Sequence, residues 1–260
     1  LDLLVLPGAR ARAFEVLERI GYRRAGRIPG QIVNGQEVFE REVVAGTVSS
    51  VDLHWQVSNR VRLTRLLPAD EVIARSTPAP FAAGARQMAP ADALLVACLH
   101  PFAHHITSAP LKWALDVSLL ARHCDAASAD RFLARAADGG VTALVRRALL
   151  EARALTPEAA RVAWVDRAID RFAAAPPDPW EAVHREQLQD AWDDLRALPT
   201  LAARARLLRE IVLPPAWFLR ARYGRHGRLW LPVLYGHRLV SGGARWVTAW
   251  ARGRRAVSTG

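Results

Sequence analysis

The residues best suited to chemistry lie in the segment 49–57, whose side chains alternate as in a β-strand. The apolar residues share one face, and Asp52, His54 and Gln56 share the other. A carboxylate and an imidazole two residues apart on one face suit a divalent cation and phosphate oxygens. The alternative is a half-exposed edge of a sheet that directs ordinary polar side chains to solvent.

A second acid, Asp2, interrupts the apolar run over residues 1–6. Such a run predicts a strand buried on both faces, where a carboxylate is costly unless it is paired or bound to a cation. Asp2 and Asp52 on neighbouring strands would therefore share a divalent ion. Mg²⁺ usually takes one or two carboxylates plus substrate phosphates, which leaves room for a second cation or a third acid.

The elements that must position these residues form an α+β arrangement over residues 1–66. Apolar spacing predicts a helix over residues 9–20. Asn34–Gly35 predicts a tight hairpin between strands at 31–33 and 38–44. We therefore expect a mostly antiparallel sheet with one flanking helix.

Together these features resemble the uncharacterised nucleotidyltransferase family of the polymerase-β-like superfamily. Its members read Asp-x-Asp-Leu-Leu-Val, then a helix ending in Gly-Tyr, then Val-Asp-Leu-His-Trp. This chain has the matching residues at 2–5, 21–22 and 51–55, and its segment 111–120 resembles a helical segment of the family. The resemblance covers roughly residues 1–155.

The resemblance implies an α+β fold, with a truncated nucleotidyltransferase-like mixed or antiparallel sheet and flanking helix followed by a helical region. It implies transfer of a nucleoside monophosphate from an NTP to an unknown hydroxyl acceptor, with Mg²⁺ or Mn²⁺ as cofactor. Asp2 and Asp52 would hold the metal, with Asp52 acting as a ligand or as the base for the acceptor. His54 would orient substrate or phosphate.

The family pattern also has an upstream Gly-Ser loop and an Asp two residues before the position that matches Asp2. The chain begins at Leu1, between those two acids, so we expect an N-terminally truncated fragment. Whether the chain is an enzyme therefore stays open. The alternative is a catalytically inactive relative that binds nucleic acid or an anionic surface through a basic tail.

That tail contains the whole formal charge of +11. Residues 201–260 hold twelve Arg and one acid, whereas basic and acidic residues balance in the rest of the chain. Interleaved Arg and aromatic residues fit a nucleic acid, an anionic membrane surface or an acidic protein as partner. The alternative is a helical cap whose Trp side chains pack on the core while the Arg side chains are solvated.

Composition sets the remaining expectations. No run of about 18 uncharged apolar residues occurs, so we expect no transmembrane helix. Two cysteines, Cys98 and Cys124, give no disulfide framework and favour a reducing cytoplasm. We divide the chain into a nucleotidyltransferase-like core over 1–88, a helical domain over 89–200 and the basic tail over 201–260.

Three histidines in the helical domain invite a zinc interpretation. His100 and His104 are spaced i, i+4, and His105 follows. Pro101 lies between the first two, and no third ligand has a recognisable spacing. Hydrogen bonding at a helix end, or a place in the cleft between sheet and helices, is therefore the favoured interpretation.

Two groups of charged residues also admit two interpretations each. Asp116 follows Lys112 at i+4, which favours an ion pair over a supporting role in an active site. Arg60, Arg62 and Arg65 near the end of the central strand either hold nucleotide phosphates or are solvated, and we favour solvation.

Periodic apolar residues predict helices through most of the remaining chain. On the helix over 111–123, Leu115 and Leu119 are expected in the core. Thr156 followed by Pro157 predicts the start of a further helix. The other predicted helices span 92–105, 129–137, 141–155, 180–198 and 201–212.

Overall fold

A computed structural model of the 260-residue chain describes residues 1–25, 33–80, 82–104, 110–181, 187–223 and 230–242. Over these residues the chain is mixed α+β, with a four-stranded sheet, a two-stranded sheet and a helical remainder. The expected fold class is confirmed. Packing divides the chain into two compact units, one formed by Leu1–Thr64 with Glu186–Gly260 and the other by Arg65–Arg185.

The strands are β1 (Asp2–Leu4), β2 (Arg23–Arg24), β3 (Gln36–Val44), β4 (Thr47–His54), β5 (Thr77–Pro78) and β6 (Arg86–Gln87). The α-helices are α1 (Arg10–Arg19), α2 (Val61–Leu66), α3 (Ala69–Arg75), α4 (Pro90–His104), α5 (Pro110–His123), α6 (Ala126–Asp138), α7 (Thr142–Leu155), α8 (Ala163–Arg171), α9 (Gln187–Ala197), α10 (Leu201–Val212), α11 (Ala216–Tyr223) and α12 (231–242). Short 3-10 turns cover Pro7–Ala9, Glu158–Ala160 and Pro179–Glu181.

The larger sheet has the strand order β1-β4-β3-β2. β1 runs parallel to β4, while β4 and β3, and β3 and β2, are antiparallel. Gly46, with φ of 78°, supplies the left-handed residue of the tight turn between β3 and β4. β4 therefore lies in the interior of the sheet, between the parallel and the antiparallel partner.

One face of this sheet packs on α1. Phe39, Val51 and Leu53 from the sheet are buried with Leu17 from the helix. Full burial stabilises a large apolar side chain by about 1.5–3 kcal/mol, so this cluster fixes the sheet on its helix. The predicted alternation is confirmed in the second half of β4, because Val51 and Leu53 line this core and Asp52 and His54 project from the opposite face.

β1 lies at one end of the described sheet, and the prediction that it is buried on both faces is wrong. Asp2 and Leu3 are exposed. Burial therefore does not force Asp2 to find a counter-charge. The case for a metal at Asp2 rests instead on what the strand pairing places beside it.

The second unit is built around the buried helix α4. The carboxylate of Asp92 in its first turn is buried, and it accepts hydrogen bonds from Arg75 Nε at 2.9 Å and Arg135 Nη1 at 3.3 Å. Two guanidinium groups compensate the desolvation of this charge. The predicted helix is confirmed, although it begins at Pro90, which places Asp92 in its first turn.

Other details of this unit differ from expectation. Leu115 and Leu119 are 52% and 42% exposed rather than in the core. Thr156 is the C-cap of α7 rather than the N-cap of a further helix, and its hydroxyl donates to the carbonyl of Ala152 at 2.7 Å. Only a short 3-10 turn follows, capped by Pro157. Among the described residues Asp116 forms no ion pair, and Lys112 Nζ lies 5.1 Å from the centre of the Trp113 ring.

Both cysteine thiols are free and buried. Burial raises the pKa of Cys98 well above its usual range and that of Cys124 to about 11. Because the thiolate is the reactive form, both thiols will resist a disulfide reagent at pH 8 in the folded protein and react fully in guanidinium chloride. Rapid labelling of either thiol in the native protein would contradict this packing.

None of the described helices is both long and apolar enough to cross a membrane.

Candidate metal centre

The parallel pairing of β1 with β4 brings the three predicted site residues together. Asp2 pairs with Asp52 in register, and His54 lies two residues further along β4. Paired residues in neighbouring strands project from the same face, so all three side chains leave the sheet opposite α1. One ligand atom from each residue lies within 4.8 Å of the other two.

One oxygen of the Asp52 carboxylate accepts a hydrogen bond, and among the described residues the other has no donor. Gln36 Nε2 donates a hydrogen bond to Oδ2 at 3.3 Å. Oδ1 is buried, and no group among the described residues donates a hydrogen bond to it. His54 Nε2 lies 3.6 Å from this oxygen, beyond hydrogen-bond distance.

The lack of a donor to Asp52 Oδ1 provides a test of whether the site fits a cation. A buried acceptor without a donor costs about 1–3 kcal/mol, more when it is charged. Two carboxylates side by side also repel each other. A hard divalent cation bound by Asp2 and Asp52 would remove both costs, and its preferred ligands are oxygens. The residues present therefore fit the metal.

A short hydrogen-bond chain fixes the orientation of Gln36. Asn59 Nδ2 donates to Gln36 Oε1 at 2.9 Å, and Asn59 Oδ1 accepts from the amide of Gly35 at 3.0 Å. With its oxygen engaged by Asn59, the side-chain amide of Gln36 must turn its NH₂ group toward Asp52. Gln36 and Asn59 are thus positioning residues that the sequence interpretation missed.

Gly35 is required by close packing, and it does not have the positive φ that a two-residue hairpin turn needs. A Cβ at this position would lie 2.4 Å from Cβ of Gln56, so a side chain does not fit without movement of the strand end. The predicted hairpin at Asn34–Gly35 includes residues 31–32, which lie outside the described residues. Within the described part, the Gly35 carbonyl accepts from the amide of Trp55 at 2.8 Å.

Glu37 lies beside Gln36 on β3 but projects from the core face. Burial raises the pKa of Glu37. The charge of Arg24 opposes this increase, whereas the charge of Asp52 adds to it. The charge of Asp52 therefore acts on Glu37 from the opposite face of the sheet. A cation on the Asp52 side would lower this repulsion.

Arg60 has a structural partner in α9. Its guanidinium pairs with Asp190 and, at 3.1 Å, with Asp194, and both carboxylates are buried. Asp194 Oδ1 also accepts from the amide of Val61 at 2.9 Å, at the first residue of α2. For Arg60, both solvation and phosphate binding are therefore wrong interpretations.

The histidines at the end of α4 form an aromatic cluster. The ring centres of His100 and His104 are 4.4 Å apart, and His100 stacks on Trp113 at 4.7 Å. His105 lies outside the described residues. Within the described part of the chain, no third metal-ligating side chain joins this pair, so the geometry favours ring packing over a zinc site.

Fold and site together define an α+β protein with a candidate divalent-cation centre on a mixed sheet. The model of the family described as "Uncharacterised nucleotidyltransferase" matches residues 1–157, and the chain belongs to this family. The resemblance based on the strand motifs is confirmed, and the match spans Asp2, Asp52 and His54.

Family membership supports a nucleotidyltransferase-like function and implies an NTP substrate and a divalent metal. No curated protein and no solved structure matches the chain.

Proposed function

We propose that the chain binds a nucleoside triphosphate with Mg²⁺ or Mn²⁺ and transfers the nucleoside monophosphate to a hydroxyl acceptor. The observation that carries the proposal is the convergence of Asp2, Asp52 and His54 on one sheet face, within the region that matches the family. When bound, the cation would neutralise the triphosphate and lower the pKa of the acceptor hydroxyl.

Each residue has a role that its surroundings support. Asp2 and Asp52 offer carboxylate oxygens for the cation, and the undonated Oδ1 of Asp52 is the best placed of them. Asp52 acts either as this ligand or as the base that accepts the proton of the acceptor hydroxyl. His54 lies beside it, 20% exposed, and orients a phosphate oxygen by donating a hydrogen bond.

The chain-level organisation that goes with this function is also a proposal. Residues 1–88 form the nucleotidyltransferase-like core, 89–200 a helical domain and 201–260 a basic tail. We place the activity in the cytoplasm, where NTP and Mg²⁺ are abundant.

Calorimetric titration of the chain with each of the four NTPs, with and without Mg²⁺, tests the proposal. We expect binding that requires the cation, because the triphosphate and two carboxylates repel each other without it. Pyrophosphate release on addition of hydroxyl acceptors would then report the transfer. Absence of cation-dependent binding would favour the alternative, an inactive relative that acts through its basic tail.

Replacing Gln36 with alanine will lower cation-dependent NTP affinity about tenfold, because outer residues that orient a metal ligand typically contribute 10–100-fold. Asn59→Ala will act in the same direction by releasing Gln36. The double variant will lose little more affinity than either single variant, because Asn59 acts on Asp52 only through Gln36. Titration of the three variants measures this, with Gln87→Ala on the exposed strand β6 as control. Additive losses of affinity in the double variant would contradict this dependence of Asn59 on Gln36.

A further inference from the structure

Helix α10 carries a second apolar stripe, on the side away from its packed face. Leu201, Ala205, Leu208 and Val212 recur at i, i+4, i+7 and i+11 and therefore share one face. Their exposure is high, with Leu201 at 79%, Leu208 at 42% and Val212 at 39%. Leu207, which belongs to the opposite face, is buried. The described chain leaves this stripe uncovered.

Positive charge borders the stripe. Arg209 lies next to it on the helix surface and is exposed. The surrounding region, residues 201–260, has twelve Arg and a single acid. An exposed apolar stripe with Arg at its border is typical of helices that lie in the plane of an anionic bilayer surface.

The neighbouring helices expose the same kind of side chains. Trp217 is 42% exposed, Trp230 55% and Val240 75%. For these two Trp residues the expected packing on the core is wrong, while Trp246 and Trp250 lie outside the described residues. Partly exposed Trp is typical of the headgroup region of a bilayer, where its amphipathic ring is favoured.

The positive charge and the apolar stripe together discriminate among the possible partners. A second copy of this chain would bring the same positive surface and be repelled. A single-stranded nucleic acid would pair with the arginines and stack on the exposed Trp rings, but it would leave the Leu and Val stripe in water. An anionic bilayer satisfies both features, because lipid phosphates pair with Arg and acyl chains cover the stripe.

We propose that helices α10–α12 dock on an anionic lipid bilayer, with the α10 stripe inserted at the level of the headgroups. Arg209 faces the lipid phosphates in this arrangement. Docking is independent of the proposed nucleotidyltransferase activity and would place the metal centre near a membrane surface, where a lipid-linked or membrane-bound hydroxyl is a local acceptor.

Flotation of the full chain with vesicles tests the proposal. We expect binding to phosphatidylglycerol–phosphatidylcholine vesicles that weakens as salt rises, and little binding to pure phosphatidylcholine. Arg209→Ala will lower the affinity about fivefold, since an interfacial Arg contributes about 1 kcal/mol. Arg209 is exposed, so this variant will fold.

The apolar contribution has a closely matched control. Leu208→Asp with Val212→Asp will lower binding tenfold or more. Leu115→Asp with Leu119→Asp makes the same change at the same i, i+4 spacing, on similarly exposed residues of α5, and will leave binding unchanged. Circular dichroism confirms the fold of each variant, and NTP binding will be the same in all three.

Three results would overturn docking on lipid. The first is equal binding to both vesicle types. The second is an equal loss of vesicle binding in the variants of α10 and α5. The third is salt-sensitive binding of an RNA oligonucleotide without vesicle binding, which would assign the basic surface to nucleic acid.

Discussion

Replacing Asp52 with asparagine will weaken cation-dependent NTP binding on the order of 100-fold, the upper end of the range for residues that support a metal site. Asparagine keeps the shape of the side chain and can still accept the hydrogen bond from Gln36. What it removes is the charge beside Asp2, which is the property that a divalent cation requires. Titration with NTP in the presence of Mg²⁺ measures the loss.

The same substitution will not destabilise the metal-free protein. Asp52 and Asp2 are paired in register, and removing one charge relieves repulsion between them. The melting temperature without metal will therefore stay equal or rise, while stabilisation by added Mn²⁺ disappears. Asp138→Asn, at an exposed position near the end of α6, is the matched control and will change neither quantity. A lower melting temperature for Asp52→Asn without metal would point to a structural carboxylate instead.

Replacing Arg60 with alanine will destabilise the first unit by about 3–5 kcal/mol, the usual cost of removing one partner from a buried ion pair. The carboxylates of Asp190 and Asp194 are 6% and 7% exposed, and both would lose their guanidinium. Thermal unfolding followed by circular dichroism measures the effect. Arg12→Ala, which breaks an exposed pair with Glu15, will cost less than about 1 kcal/mol.

The defect in Arg60→Ala will depend on pH. Burial already raises the pKa of Asp194, and Arg60 is one of the groups that lower it. A carboxyl whose folded-state pKa is raised favours the folded protein at low pH and loses that contribution as the pH rises through this pKa. The deficit will therefore be smaller near pH 5 than near pH 8.

A rescue variant separates charge from packing. Asp190→Asn with Asp194→Asn will recover most of the stability lost in Arg60→Ala, because no uncompensated charge remains. If the triple variant is as unstable as Arg60→Ala, the Arg60 side chain stabilises the unit through packing instead.

The local part of the fold could be predicted from the sequence because its causes are local. The alternation along the second half of β4 and the apolar spacing of α1 each report which face is buried, and both are confirmed. The strand pattern and the family motif both predict that Asp2 and Asp52 lie close together. The parallel register then makes the two carboxylates neighbours.

The long-range part could not be predicted, because its causes are distant in the chain. Arg60 pairs with carboxylates 130 and 134 residues away, and no local pattern signals that. Gln36 and Asn59 meet across 23 residues and carry no recognisable spacing. Leu115 has the spacing of a core residue yet is exposed, because periodicity shows that a face is apolar and not what covers it.

Crystallography of the chain with Mn²⁺ and a non-hydrolysable NTP analogue tests the metal centre most directly. The expected result is an anomalous peak within coordination distance of carboxylate oxygens of Asp2 and Asp52, Oδ1 included, with a phosphate oxygen near His54. Mn²⁺ bound elsewhere, or a triphosphate away from this sheet face, would contradict the assignment of these three residues.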